Sequence, residues 1–373
     1  MASLPKIRTL QSLRALAALL VVFDHAALVS AHHGLTDKLP SLGLFLGVQG
    51  VAIFFIISGF IMTYTADATE DSSARRALDF AIRRIVRVVP LYWIFTIVIG
   101  LAASLIGMGK LLEITPGHLI KSLFFVPYVN SHTNLLPVLP MGWTLNYEMI
   151  FYALFTATVL LPHRFRVLAL LGTLGAAVGV GSIFFPILSG SNPRSVGEFL
   201  TYPVILLFGL GAVLGSLRLR HLDFTLKFPG LPFALPLLAL SSFLAFVAHQ
   251  VTLPLMWNAC FWLIDGVIVA LCIFGSPLSM PRLEAVGNAS YSLYLVHLLP
   301  LFACFIIWKQ LHFAAPSVFI IAALATSAGT ALASYRWLEK PLTRKLASIL
   351  ERPRTAAIAP VPALEPVPLL QQA

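Results

Sequence analysis

The chain has 373 residues, 58% of them hydrophobic and 11% charged, with a formal net charge of +10 and a mean hydropathy of +0.90. A soluble domain carries roughly 25% charged residues, so this composition excludes a water-soluble globular protein and points to a polytopic membrane protein. The positive charge does not indicate a nucleic-acid partner either, because the basic residues are scattered between apolar runs rather than gathered in one domain.

Ten apolar runs are long enough to cross a bilayer, at about residues 10–30, 43–65, 89–109, 144–162, 166–187, 199–217, 231–249, 254–274, 289–308 and 316–335. They predict an all-α polytopic fold of about ten transmembrane helices. The apolar stretch around 118–128 is too short to cross and holds Pro127, so it reads as an interfacial or re-entrant piece. Lys6 and Arg8 before the first run mimic a signal peptide, but Asp24 and His25 break its apolar core, and the helix is read as retained.

With the N-terminus in the cytoplasm, only Lys38, Lys110, Lys121, Arg194 and Lys309 of the 25 Lys and Arg fall outside. The other 20 lie inside, as the positive-inside rule requires, and an even span count puts both termini in the cytoplasm. After the last span, "YRWLEKPLTRKLASILER" reads as a short basic amphipathic helix on the inner leaflet. Residues 1–345 therefore form one membrane domain and 346–373 a cytoplasmic tail, with the proline-rich part from 353 expected to be disordered. Cys260, Cys272 and Cys304 lie in apolar runs without metal-like spacing and read as buried thiols; no metal site is expected.

The first helix carries the densest chemistry. Arg14 and His25 stand eleven residues apart, which at ~100° per residue falls within ~20° of three full turns and separates them by roughly 16 Å along one face. That face holds a cation at the cytoplasmic end and a titratable base in the outer half of the membrane. Asp24 points ~100° away from His25, and its partner is open. The bland alternative is a snorkelling arginine with a structurally hydrogen-bonded histidine.

Further on, "GVQGVAIFFIISGFIMTY" offers glycines for close packing, with Ser58–Gly59 a candidate point of local unwinding. In "FAIRRIVRVVPLYW", Arg84 and Arg87 share a face at the mouth of the third span. Two guanidiniums so placed suit phosphate, although arginines before a span also serve topology alone. In "MGWTLNYEMIFYALF", Glu148 lies beyond Trp143 at about the depth expected for His25, and a carboxylate there would orient an imidazole base. Asp265 is a weaker candidate of the same kind. In "GNASYSLYLVHLLPLF", Tyr291, Tyr294 and His297 drift around the ninth helix; Trp143, Tyr294 and His297 are read as substrate contacts or as supports behind them.

Together, "LRALAALLVVFDH", "GVAIFFIISGFIM", "RRIVRVVPLYW", "WTLNYEMIFY", "SYSLYLVH" and "WLEKPLTRK" resemble the acyltransferase-3 family of polytopic membrane proteins, whose members O-acylate cell-surface glycans and some small molecules. The resemblance runs in family order from about residue 8 to 345. It implies ten helices and an acyl-CoA donor, acetyl-CoA above all, bound from the cytoplasmic side as a co-substrate and not as a tightly held cofactor. It assigns His25 the catalytic base, gives Arg14, Arg84 and Arg87 roles with the donor, and makes Glu148 a catalytic or orienting carboxylate. Ser58 is a further candidate for donor binding and Asp24 for catalysis, although an Asp before His25 is not a fixed feature of the family and its role is open. Some relatives carry an added esterase-like domain; this chain resembles the stand-alone type typical of exopolysaccharide modification.

The expected function is therefore an O-acyltransferase of the bacterial inner membrane, surrounded by lipid, that moves an acyl group from acyl-CoA to a hydroxyl of an extracytoplasmic polysaccharide or lipid-linked glycan. Direct transfer and an acyl–histidine carrier are both open. The rival from another class is a proton-coupled transporter or lipid-linked sugar flippase with Asp24, His25 and Glu148 as its relay. No inverted repeat of the kind common in transporters is visible in the sequence.

Overall fold

A backbone inside hydrocarbon has to satisfy its own hydrogen bonds, and helices do this within one segment. The apolar runs accordingly fold as helices in the computed structural model, which describes residues 7–32, 40–66, 73–105, 114–130, 135–185, 193–250, 256–311 and 315–350. Among these residues the regular elements are α1 (Arg8–His32), α2 (Pro40–Ala66), α3 (Ala74–Leu105), α4 (Pro116–Leu123), α5 (Gly142–Val159), α6 (His163–Phe184), α7 (Val196–Thr201) and α8 (Leu206–Arg220). They continue with α9 (Gly230–Gln250), α10 (Met256–Phe274), α11 (Pro281–Asn288), α12 (Ser290–Val296), α13 (Leu298–Gln310), α14 (Pro316–Ser334) and α15 (Lys340–Leu350).

Seven of the described helical stretches are long and apolar enough to cross a membrane, and the bent pair α12–α13 makes an eighth. Large apolar side chains such as Leu105, Ile183 and Phe184 lie on the outside, at 87%, 76% and 73% exposure. An exterior so apolar is stable only against lipid.

The core is built around α2. A methyl group added at Gly59 would overlap the Phe208 carbonyl of α8, and one added at Gly211 would overlap the Ile56 carbonyl of α2. This reciprocal glycine pair lets the two backbones touch, and small residues of this kind dominate helix interfaces where no hydrophobic force drives association. On its other side α2 meets α1, with Gly50 against the Ala17 carbonyl and Gly47 against Asp24. The residue order makes α1 and α2 antiparallel, α2 and α8 parallel.

Several sequence expectations need correction. Helix α2 runs unbroken through Ser58–Gly59, so Gly59 serves close packing and does not mark an unwinding. The third span begins at Ala74, fifteen residues before its apolar run, so Arg83, Arg84 and Arg87 lie within the helix. The sixth run is interrupted at Tyr202–Pro203, because proline removes a helix donor and biases the preceding residue away from helix. The ninth run bends by 50° between α12 and α13, at His297. Pro300 lacks the N–H that the Val296 carbonyl would otherwise accept, which accounts for the break. The basic segment after the last span is helical and joins α14 through a π turn at Tyr335–Glu339 into α15, none of whose residues is buried. Of the three cysteines only Cys272 is buried; Cys260 is exposed and Cys304 half-buried, with its Sγ 3.3 Å from Thr326 Oγ1. The composition of the run could not tell a lipid-facing position from a core one. The expected disorder of 353–373 lies outside the described residues.

The 118–128 stretch does not cross. Thr115 caps α4 by accepting the His118 N–H at 3.1 Å. Phe125 then takes a positive φ of 57°, which turns the chain back. Ser122 Oγ bonds the Tyr128 hydroxyl at 3.1 Å and accepts the Val138 N–H at 2.9 Å, tying the returning loop to α4.

Candidate active site

Arg14 reaches from α1 to the start of α12, where its Nη2 donates to Ser290 Oγ at 2.8 Å. It also stands in electrostatic contact with Arg87, Glu339 and Glu148. Arg84 lies with its guanidinium 5.2 Å from the centre of the Phe80 ring and in electrostatic contact with Tyr152, Arg87 and Glu148; its Nε is buried without a hydrogen-bond partner among the described residues. Three half-buried guanidiniums thus stand with two carboxylates. That surplus of positive charge, partly removed from solvent, favours an anion.

Glu148 belongs to this cluster. Ser58 Oγ donates to its Oε1 at 3.1 Å, and the Tyr152 hydroxyl, one turn further along α5, donates to the same oxygen. The expected pairing of Glu148 with His25 does not form. Helix α5 enters at an orientation that turns the carboxylate toward the arginines, and spacing within one helix carries no information about orientation between two.

Asp24 does not pair with His25 either. Its side chain fills the notch left by Gly47 on α2, and its Oδ1 is buried without a hydrogen-bond partner among the described residues. Asp265, in α10, is also buried, and neither of its oxygens has such a partner.

The partner of His25 is His297. His25 Nδ1 and His297 Nε2 are 3.1 Å apart, with ring centroids at 5.1 Å. The drift of the ninth helix turns out to distribute its polar residues among three neighbours. Tyr291 donates to the Val88 carbonyl of α3 at 2.6 Å; Tyr294 bonds Thr144 Oγ1 of α5 at 2.6 Å; His297 takes α1. Trp143 is not brought to this group. It packs edge-on against Tyr147, which stacks on Phe199 of α7.

Between these helices lies a cavity of about 80 Å³ bordered by Arg14, Arg87, Ser58, Glu148, Ser290 and Tyr294. His25 does not line it; the connection runs through Tyr294, whose ring centre is 6.4 Å from that of His297. Charge, hydroxyls and an imidazole pair thus lie along one path between α1, α2, α3, α5 and α12, which suits binding of an anionic thioester at one end and proton transfer at the other.

A family described as an acyltransferase domain matches residues 7–335, nearly the whole chain. The chain belongs to the acyltransferase-3 family. It is an acyltransferase and a multi-pass membrane protein. Among the relatives of this acyltransferase is "Exopolysaccharide production protein ExoZ" of Rhizobium meliloti (strain 1021), 32% identical over 335 residues that cover 86% of this chain and 94% of that protein. Another is "O-acetyltransferase OatA" of Staphylococcus aureus (strain NCTC 8325 / PS 47), 27% identical over 327 residues, 80% of this chain. The acyltransferase spans about half of OatA, 53% of its length. No solved structure matches the chain.

The structure adds residues of this acyltransferase that the sequence did not single out. Glu339 sits in the π turn, accepts from Ser292 Oγ at 2.6 Å and stands in electrostatic contact with Arg87 and Arg14. It was within the quoted "WLEKPLTRK", but as the first acidic residue of a basic segment it gave no sign of turning inward. A π turn shifts the register of the helix face, and such turns are frequent at functional sites. Tyr152, Thr144, Ser290 and Ser292 join the site the same way, as hydroxyls whose importance depends on what faces them.

Proposed function

We propose that the protein transfers an acyl group, acetyl in the first instance, from cytoplasmic acyl-CoA to a hydroxyl of an extracytoplasmic glycan or glycolipid, in the bacterial inner membrane. The observation that carries this reading is the joint placement, against the two ends of α1, of a half-buried cationic cluster and an imidazole pair, in a chain of the acyltransferase-3 family. Ten alternating spans with both termini in the cytoplasm agree with the relative directions of the helices. Neighbours α1 and α2 are antiparallel, while α1 with α12, and α2 with α8, run parallel, as first-and-ninth and second-and-sixth spans should. In that arrangement Arg14, Arg84 and Arg87 face the cytoplasmic half and His25 the outer half.

Donor phosphates would pair with the arginines, for which bidentate geometry favours guanidinium over ammonium. Ser58 and Glu148 hold the cluster in place. The acceptor hydroxyl approaches His25 from the outer side and loses its proton to the imidazole as its oxygen attacks the thioester carbonyl. A C–O bond forms, the C–S bond breaks, and the departing CoA thiolate takes the proton from His25 to leave as free CoA. The acyl group crosses while the donor stays on its own side. The similarity to ExoZ and OatA supports a polysaccharide acceptor and an acetyl donor.

The deciding experiment uses the full-length protein in nanodiscs with radiolabelled acetyl-CoA and the glycan fraction of the host membrane. Wild type releases CoA and labels the acceptor; His25→Ala does neither while still binding acetyl-CoA. Equal rates in the two proteins, or no acetyl-CoA binding by wild type, overturn the proposal. Arg84→Ala and Arg87→Ala weaken acetyl-CoA binding, and unchanged binding at lowered expression would leave the arginines as topology signals.

A further inference from the structure

His297 stands at the 50° break between α12 and α13, fully buried. Its Nδ1 is 3.0 Å from the Leu293 carbonyl oxygen. A carbonyl only accepts, so Nδ1 carries the proton and the neutral ring presents a lone pair at Nε2. That lone pair faces His25 Nδ1 at 3.1 Å, so His25 donates through Nδ1 and its own lone pair falls on Nε2.

We infer that His297 is a positioning residue which fixes His25 in its Nδ1-protonated tautomer and so makes Nε2 the reacting nitrogen. This rests on the reading of His25 as the base. Both nitrogens of His297 are occupied, one by Leu293 and one by His25, so the ring has none left for a substrate. That separates its role from a direct contact with donor or acceptor. The break at Pro300 matters here, because it sets the ring at the point where the helix axis changes direction. A neutral imidazole thus occupies the place expected of Glu148 or Asp24, and it supplies orientation without adding a charge to the apolar interior.

Two variants and one spectrum test this in full-length protein in nanodiscs with acetyl-CoA. His297→Leu removes the acceptor and lowers kcat by about 10²-fold, the range of a misplaced general base, while KM for acetyl-CoA stays within about twofold. His297→Gln, whose side-chain oxygen reaches roughly to the Nε2 position and only accepts, regains about tenfold of that loss. Equal kcat losses in the two variants, or wild-type kcat in His297→Leu alongside an inactive His25→Ala, overturn the inference and leave the base assignment standing. Activity in His25→Ala overturns both. If His297→Leu does not fold, the nitrogen-15 spectrum of histidine-labelled wild type decides: His25 should show a protonated Nδ1 and a bare Nε2. The opposite tautomer overturns the inference.

Discussion

Ser58 and Glu148, ninety positions apart, are joined by a hydrogen bond of 3.1 Å that holds the α5 carboxylate on the arginine side of the core. The same oxygen takes the Tyr152 hydroxyl, and Arg14 and Arg84 stand in its field. Glu148 is therefore a counter-charge for the cationic cluster, and the imidazole pair is left as a separate unit.

Replacing Glu148 by Gln keeps an acceptor for Ser58 and Tyr152 but removes the charge. The uncompensated guanidiniums should lower stability by about 1–3 kcal/mol, less than for a fully enclosed pair because the residue is half-buried. Acetyl-CoA should then restore more stability than it gives wild type, since its anionic groups replace the carboxylate. Thermal unfolding in detergent with and without acetyl-CoA measures both effects. Equal ligand shifts would show that the donor does not reach this cluster.

Asp24 is expected to matter little for turnover. Its carboxylate is lodged against Gly47 and does not bond His25, so Asp24→Asn should keep kcat within about threefold of wild type, far from the loss of a general base. A loss in kcat as large as that of His25→Ala would put Asp24 back among the reacting groups.

Glu339 should prove functional although it lies at the end of a basic segment. It accepts from Ser292 and balances Arg87 and Arg14, so Glu339→Ala leaves those guanidiniums freer for the anionic donor, as Glu148→Gln does, and should lower KM for acetyl-CoA about tenfold, equivalent to about 1.4 kcal/mol. Steady-state kinetics at matched protein levels test this. A changed kcat with KM untouched would place Glu339 at the chemical step instead.

The α2–α8 contact sets a steric limit. Gly211→Val pushes a side chain into the Ile56 carbonyl and should cut the yield of folded protein severely. Gly172→Ala, where nothing lies within 4 Å, should be neutral or stabilise by up to about 1 kcal/mol. Size-exclusion profiles from detergent extracts distinguish the two. Similar behaviour of both variants would mean that the two backbones do not touch as described.

Much of the architecture was legible because the bilayer imposes it. Apolar runs must be helical, and their positions in sequence match the helices to within a few residues, except where proline or an amphipathic extension changed the ends. The Arg14–His25 spacing was equally readable, since both residues lie on α1 and helical geometry alone relates them. The bend at His297 had its signal in Pro300, whereas the inward turn of Glu339 depended on a π turn that no residue pattern announces.

The sequence by itself determined the membrane setting, the helices, the family motifs and the one face of α1 that carries both a guanidinium and an imidazole. Those features depend on composition and on periodicity within single segments. Only the tertiary structure decided the pairings: Glu148 with Ser58 and Tyr152, Asp24 with Gly47, Arg14 with Ser290, and His25 with His297. A side chain's partner depends on the rotation and offset of one helix against another, and those are set by glycine contacts and helix breaks spread over the whole chain.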